Sequence, residues 1–322
     1  AAGGHLEVLK WLHTTSGCVG DEETCAGAAQ GGHFEVLKWL RENGCRWDEE
    51  TFWKAAEAGD LEMLMWLREQ QCPWDGSACD AAAKKGHLEV LKWLRKHGCP
   101  WDEETSAFAA STGNVEILQW LRENGCPWDQ AVCSNAAERG HLATLKWAVQ
   151  NFCKYSLAGP PADAAENGHL EVLKYLKEIG CTFDEGTTLH AAKGGHLEVL
   201  KWLREVACPW DEWVCLNAAG EGHLDVLKWA KANGCPWDES VCSHAAVNGH
   251  LDVLVWALKN GCPHGDADSW EEVMNDSPPY IQKWAKDNGY YKLFFAGLLK
   301  EESTTFDSHT TASKRSLFQQ IG

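Results

Sequence analysis

The 322-residue sequence has little positive charge and no long apolar run. Only 29 Lys and Arg stand against 47 Asp and Glu, which gives a formal net charge of −18. A surface of this sign repels nucleic-acid phosphates, so we expect no DNA or RNA partner. No apolar stretch approaches the roughly 18 residues that a membrane helix needs, so we expect no membrane insertion. An apolar share of 44 % still suffices for a packed core, which excludes a wholly disordered chain.

The sequence also lacks the short motifs of common catalytic and metal sites. It has no nucleophile elbow, no phosphate-binding loop, no His-Glu-x-x-His motif and no Cys-x-x-Cys pair. Paired acids such as Glu103-Glu104 follow helix starts, where the helix dipole favours negative charge. We therefore predict that the chain is not an enzyme and needs no metal or cofactor.

A repeated unit fills most of the chain. One glycine recurs at steps of 27 or 28 residues. Its ten positions are Gly4, Gly32, Gly59, Gly86, Gly113, Gly140, Gly168, Gly195, Gly222 and Gly249. A degenerate eleventh copy follows, in which Ile281-Gln282-Lys283-Trp284 replaces Val-Leu-Lys-Trp. Units this short bury their apolar faces only against neighbouring units, so the pattern predicts a solenoid.

Each copy reads as two helices joined by a tight turn. In one copy the apolar residues between Leu88 and Lys96 cover roughly 220° of a helix, which is the stripe of a helix packed on more than one side. Gly98 ends that helix, Pro100 prevents it from continuing, and Asp102 caps the next one. Alanine pairs on the first helix of most copies let adjacent helices approach closely.

The histidine of the recurring Gly-His step is interpreted as a helix-start residue. It directly precedes the second helix, and in two copies Asp60 and Asn114 replace it. Asp and Asn are favoured N-caps, whereas a metal ligand would hardly tolerate Asn. The pattern therefore favours a structural role over a metal site.

The fifteen cysteines fall in two registers. Equivalent cysteines of adjacent copies are expected about 10 Å apart, whereas a disulfide needs Cα atoms within about 7 Å. We therefore interpret the cysteines as small buried residues in a reducing compartment, with a metal- or redox-active thiol protein as the alternative. Ten follow the turn after the second helix: Cys18, Cys45, Cys72, Cys99, Cys126, Cys153, Cys181, Cys208, Cys235 and Cys262. Five lie seven residues further on, where a tryptophan before the helix can staple them: Cys25, Cys79, Cys133, Cys215 and Cys242.

Most tryptophans occupy two registers, one on the second helix and one just before the first helix, where packing accounts for them. Trp53 and Trp213 lie on the first helix outside these registers. Packing does not require an indole there, so both are candidates for binding a partner.

The segment from Ala82 to Leu94 resembles the ankyrin repeat. It reads Ala-Ala-Lys-Lys-Gly-His-Leu-Glu-Val-Leu-Lys-Trp-Leu, and the likeness extends over about residues 1–288. The period is 27 residues instead of the usual 33 or so, and the Thr-Pro-Leu-His opening is missing. The absent residues fall where ankyrin repeats build a β-hairpin. The resemblance therefore implies an all-α solenoid of helix-turn-helix repeats with hairpins shortened or absent. The Cys-Pro-Trp-Asp variant is similar to short ankyrin-type repeats of algal and large-virus genomes.

The resemblance also implies non-catalytic binding of a protein partner in the concave groove of the array. In ankyrin repeats the positions beside the alanine pair face that groove, and here they vary while the scaffold stays constant. Neutral drift on a solvated face is the alternative explanation. The partner-binding residues expected, with Trp53 added, are Trp53, Lys54, Glu57, Lys84, Lys85, Phe108, Ser111, Thr112, Asn135, Glu138, Arg139, Asp163, Glu166, Asn167, His190, Lys193, Asn217, Glu221, His244 and Asn248.

Three segments are expected along the chain: a repeat array over residues 1–289, a capping segment over 290–302 and a flexible tail over 303–322. Pro160 and Pro161 interrupt one copy, which predicts a late helix start and a local kink. The chain begins at Ala1 inside a copy, so we interpret it as a fragment, and an adaptor with its effector domain elsewhere is the alternative function. We expect an intracellular monomer, in the cytoplasm or else the nucleus.

Overall fold

The computed structural model describes residues 1–17, 20–151, 159–263, 265 and 267–290. These residues form α-helices and no strand, which confirms the all-α class. The chain divides into two units, Ala1–Val214 and Cys215–Gly322. Helices of the first unit are α1 Leu6–Ser16, α2 Glu22–Gln30, α3 Phe34–Glu42, α4 Glu49–Ala58, α5 Leu61–Glu69, α6 Ser77–Lys85, α7 Leu88–Lys96, α8 Glu103–Ala110, α9 Val115–Glu123, α10 Ala131–Glu138, α11 Leu142–Asn151, α12 Pro160–Glu166, α13 Leu170–Glu178, α14 Glu185–Lys193 and α15 Leu197–Glu205. The boundary falls within α16 Glu212–Gly220, and α17 Leu224–Ala232, α18 Glu239–Val247, α19 Leu251–Lys259, α20 Ala267–Asp276 and α21 Pro279–Asp287 follow.

The first unit is a stack of helix pairs. Its first helices form one row, in which α2 packs on α4, α4 on α6, and so on to α14. Each second helix packs on the first helix of its own repeat, as α7 does on α6. The predicted helix-turn-helix solenoid is therefore the packing observed within this unit.

Small residues hold the row of first helices together. Ala82 and Ala109 are fully buried between neighbouring first helices, as are the equivalent alanines of the other repeats. On α7 the fully buried side chains are Leu91 and Leu94, with Val90 nearly so. Because alanine carries no side chain beyond Cβ, the first helices approach closely and the larger residues of the second helices fill the remaining space.

Helix ends follow the predicted signals. The Asp102 carboxylate accepts a hydrogen bond from the Glu104 N–H at 2.9 Å, as an N-cap should. Gly98 has a φ of +85°, the left-handed conformation that glycine adopts easily after a helix. Helix α12 begins at Pro160 with proline in its first turn, so the predicted late start is confirmed.

The Gly-His histidines mark the start of the second helix, but their side chains do not cap it. His169 makes no side-chain cap bond; its Nε2 lies 2.8 Å from the carbonyl oxygen of Glu138 in the preceding repeat. Asp60 and Asn114 do cap, through the N–H groups of Met63 and Glu116. The helix-start interpretation is thus right for Asp60 and Asn114, which cap the second helix. The histidine instead makes a hydrogen bond to the backbone of the preceding repeat.

The second unit ends in the degenerate repeat. Helix α18 packs on α19 and α20, and α20 packs on α21. Trp270 and Met274 are buried, so α20 is anchored as a first helix. The predicted capping segment and tail lie outside the described residues, apart from Tyr290. In the described part of the chain, no helix combines the length and apolarity needed to span a membrane.

Candidate functional site

A cleft of about 340 Å³ opens on the row of first helices between α4, α6 and α8. Two aromatic rings line it, Trp53 from α4 and Phe108 from α8. The full lining is Trp53, Glu57, Ser77, Asp80, Ala81, Lys84 and Phe108. Four of these residues were predicted from the sequence: Trp53, Glu57, Lys84 and Phe108.

The cleft exists because a small residue, Ala81, occupies the variable position before the alanine pair. The position before the alanine pair holds Lys54 on α4, Ala81 on α6 and Phe108 on α8. The methyl group of Ala81 leaves room that a lysine or phenylalanine would fill. Residues one turn later in each helix, such as Glu57 and Lys84, lie on the same face because positions i and i+3 are neighbours on a helix.

Charged groups surround the cleft in a connected network. The Glu57 carboxylate lies 3.6 Å from Lys54 Nζ and 3.4 Å from Lys85 Nζ. Lys54 Nζ also lies 4.1 Å from the centre of the Trp53 ring, and Lys84 Nζ lies 5.5 Å from that of Phe108. Cations at these distances are attracted to the ring faces. The network therefore orients the aromatic walls.

Asp80 places a carboxylate inside the cleft. The Thr105 hydroxyl donates a hydrogen bond to Asp80 Oδ1 at 2.5 Å. Burial raises the pKa of Asp80 to about 6, and this hydrogen bond opposes the rise. Nearby carboxylates, such as Asp102, push the pKa in the same direction as burial. At neutral pH Asp80 is thus a charged acid kept at a cost in stability, which is typical of binding and catalytic positions.

A second cluster of predicted residues lies where α12 meets α14. Glu166 Oε2 is 2.6 Å from His190 Nδ1, and Glu166 Oε1 is 2.8 Å from Lys193 Nζ. The hydrogen bond from Lys193 is the main cause that lowers the pKa of Glu166. All three side chains are only about one-third to two-fifths exposed, so this cluster is a partly covered surface network.

The structure leaves most of the other predicted residues apart from these two clusters. Ser111 and Thr112 direct their hydroxyls back to carbonyl groups of α8, at 2.7 and 2.8 Å. Asn135 Nδ2 donates to the Ala107 carbonyl at 2.9 Å, and Arg139 pairs with Glu138 at 3.5 Å. Asp163, on α12, is the exception: burial raises its pKa, and the charge of the nearby His190 opposes that rise. Asn167 directly follows α12. In the second unit the predicted residues are Asn217, Glu221, His244 and Asn248. Asn217 is partly buried, and the other three are exposed.

Sequence reasoning missed three lining residues: Ser77, Asp80 and Ala81. Asp80 immediately precedes Ala81 in the sequence, at the register that holds Trp53 one repeat earlier. Since Trp53 had been singled out, the same register in α6 could have indicated Asp80. Trp213, the other tryptophan singled out, is 49 % exposed on α16. Among the residues that the structure describes, no group of three or more His, Cys, Asp or Glu could hold a metal ion.

The helix pairs, their row of alanines and the variable exposed face define a helical repeat protein. The family model described as ankyrin repeats (many copies) matches residues 52–95 and 79–122, which include the whole cleft. Residues 52–122 therefore match ankyrin repeats. The chain is similar to the crystal structure of the human ASB11 ankyrin repeat domain, at 19 % identity and a TM-score of 0.41, over 49 % of this chain and 84 % of that one. No curated protein matches the sequence.

Proposed function

We propose that the chain is a non-catalytic protein-interaction module and that the cleft between α4, α6 and α8 receives a side chain of the partner. Ankyrin repeats are generally protein–protein interaction modules, and the matched repeats contain the cleft. The observation that carries the proposal is the pair of aromatic walls, Trp53 and Phe108, beside an acid, Asp80. Recognition sites concentrate binding energy in such pockets of aromatic residues.

The partner side chain is proposed to be a lysine or arginine. The Asp80 carboxylate supplies the opposite charge, and the rings of Trp53 and Phe108, which Lys54 and Lys84 already approach, attract cations. The net charge of −18 favours approach of a basic partner surface. Since the pKa of Asp80 is about 6, protonation below that pH removes its charge and binding weakens. Contacts along the rest of the row, including the Glu166 cluster, add to recognition.

Capture from a native lysate tests this proposal with variants of the full chain. Trp53→Ala with Phe108→Ala removes the walls, and Asp80→Asn removes the charge while keeping the shape. Lys92→Ala is the matched control, because it breaks only the Lys92–Glu89 ion pair on the second helix of the same repeat. We expect each cleft variant to lower recovery of the partner at least about tenfold, as a lost hot spot does.

Circular dichroism of each variant must match that of the parent chain. Equal recovery by the parent, the cleft variants and the Lys92→Ala control would remove the cleft from the proposal. Loss of binding with Lys92→Ala alone would place recognition on the second-helix face.

We also propose that the chain acts as a monomer inside the cell, in the cytoplasm or the nucleus. Support for the compartment comes from the cysteines: twelve of the thirteen in the described residues are buried thiols, and Cys133 is disulfide-bonded. Thiols at this density are typical of a reducing compartment.

A further inference from the structure

The two cysteine registers meet inside single repeats. Cys25, on the first helix, donates a hydrogen bond from its Sγ to the Sγ of Cys45, in the turn after the second helix, at 3.1 Å. Both are at most 1 % exposed. The same thiol–thiol bond joins three further pairs of a first-helix cysteine and a turn cysteine: Cys79 with Cys99, Cys215 with Cys235, and Cys242 with Cys262. The sequence interpretation compared only cysteines of one register and so missed this contact.

The repeat does not need the pair in order to fold. Four repeats keep the turn cysteine but place another residue opposite it: Phe52 with Cys72, Ser106 with Cys126, Pro161 with Cys181, and Thr188 with Cys208.

The turn cysteine has a structural role in both kinds of repeat. Cys45 donates to the carbonyl of the N-cap residue Asp21 at 3.1 Å, and Cys126, which has no cysteine opposite, donates to Asp102 in the same way at 3.3 Å. The first-helix cysteine is therefore the optional member of the pair.

One first-helix cysteine is already oxidised. Cys133 is disulfide-bonded, whereas every other cysteine in the described part of the chain is a thiol. This corrects the interpretation of all fifteen cysteines as reduced. The turn cysteine of the same register is Cys153, which lies outside the described residues.

We propose that the paired cysteines are disulfide sites, which a small-molecule disulfide such as oxidised glutathione converts from dithiol to intra-repeat cross-link. The turn thiolate attacks one sulfur of the oxidant and releases one thiol, which leaves a mixed disulfide on the turn cysteine. The first-helix thiolate then attacks the turn sulfur and releases the second thiol. Two cysteine thiols thereby lose two protons and two electrons, and the oxidant becomes two thiols.

The geometry favours this product over other pairings. The two sulfurs of the Cys25–Cys45 pair must approach by about 1 Å to reach the 2.05 Å or so of a disulfide. In the Cys242–Cys262 pair, the hydrogen bond from Cys242 lowers the pKa of Cys262, which favours the turn cysteine as the attacking group of that pair. Burial raises the pKa of Cys25, so attack by an external oxidant waits for local opening of the repeat.

The test is oxidation of the full chain in glutathione buffers of increasing oxidised fraction, followed by alkylation and non-reducing peptide mapping. We expect four cross-links, Cys25–Cys45, Cys79–Cys99, Cys215–Cys235 and Cys242–Cys262, all reversed by dithiothreitol. The chain contains its own matched controls, which we expect to remain thiols to at least about a tenfold greater extent at the same buffer ratio: Cys72, Cys126, Cys181 and Cys208. Low urea should accelerate oxidation without changing the pairing, because opening limits access.

A variant separates pairing from general reactivity. Cys79→Ser reproduces the Ser106 repeat, so it is expected to fold, and Cys99 should then remain a thiol or carry glutathione. Cross-links between different repeats, or equal oxidation of paired and unpaired cysteines, would overturn the proposal. So would four pairs that stay reduced in low urea at the highest oxidised fraction.

Discussion

The imidazole of His87 lies against Gly59 of the preceding repeat, and its Nε2 is 3.1 Å from the carbonyl oxygen of Glu57. A Cβ atom at Gly59 would lie 2.7 Å from the His87 ring. The same relationship recurs in other repeats, for example between His141 and Gly113 and between His169 and Gly140. The glycine and the histidine one repeat later are therefore one structural unit, which explains why both recur.

Gly59→Ala is expected to destabilise the protein more than Gly32→Ala. Both glycines have positive φ, +75° and +68°, so each alanine pays about 1 kcal/mol of backbone strain. One repeat after Gly32 the histidine register holds Asp60, and a Cβ at Gly32 has nothing within 4 Å. The ring contact should add roughly 1–3 kcal/mol at Gly59. Urea unfolding of the two variants measures the difference.

The ring should account for that difference. Adding His87→Ala to Gly59→Ala is expected to restore part of the lost free energy of unfolding. An equal loss of free energy of unfolding at Gly59 and Gly32 would show that the His87 ring moves aside without penalty and does not hold the two repeats together.

Asp80→Asn is expected to stabilise the chain at neutral pH. The folded-state pKa is about 6 and the unfolded value is near 3.8, so the folded protein binds more protons between these pH values. The contribution of Asp80 to the stability of the folded protein is therefore fully present below about pH 4 and is lost as the pH rises through 6. The free energy of unfolding of the variant should exceed that of the parent chain by about 1 kcal/mol above pH 7, after allowance for solvent screening. Urea unfolding from pH 4 to pH 8 checks it; a gain independent of pH would contradict the ionisation of Asp80.

Ala82→Leu is expected to lower the free energy of unfolding by roughly 1–3 kcal/mol, because α6 packs tightly against α4 and α8 there. Ala82 is fully buried. Lys84→Leu, on the exposed side of the same helix, is the control and should change stability by no more than about 0.5 kcal/mol. Thermal unfolding of both variants measures the contrast, and similar effects would mean that the row of first helices tolerates wider spacing.

Glu166→Gln is expected to destabilise the chain slightly at pH 7, by less than about 1 kcal/mol, since the ion pairs are partly exposed. The pKa of Glu166 is lowered in the folded state, so its contribution is present above the unfolded value near 4.5 and is lost as pH falls below it. The difference from the parent chain should vanish at pH 3 and shrink in high salt. A cost that survives both conditions would point to packing instead of charge.

Periodicity predicted the fold because local residues of each repeat, such as Asp102 and Gly98, determine where its helices begin and end. It predicted the exposed face because variable positions flank the buried alanines. It missed the role of the histidine, since a bond from His87 to the previous repeat depends on how repeats stack. It missed Asp80 and the cysteine pairs for the same reason: a contact between residues 20 or more apart follows from packing and leaves no local signal.

The most direct test places a photo-crosslinker in the cleft. Phe108→p-benzoylphenylalanine puts the reactive group on the cleft wall, and Gln119→p-benzoylphenylalanine puts it on exposed surface of α9 in the same repeat. After irradiation in lysate, we expect a partner to be cross-linked from position 108 and not from position 119, and the cross-linking yield to fall below pH 6. A partner cross-linked only from position 119, or equally from both, would contradict it.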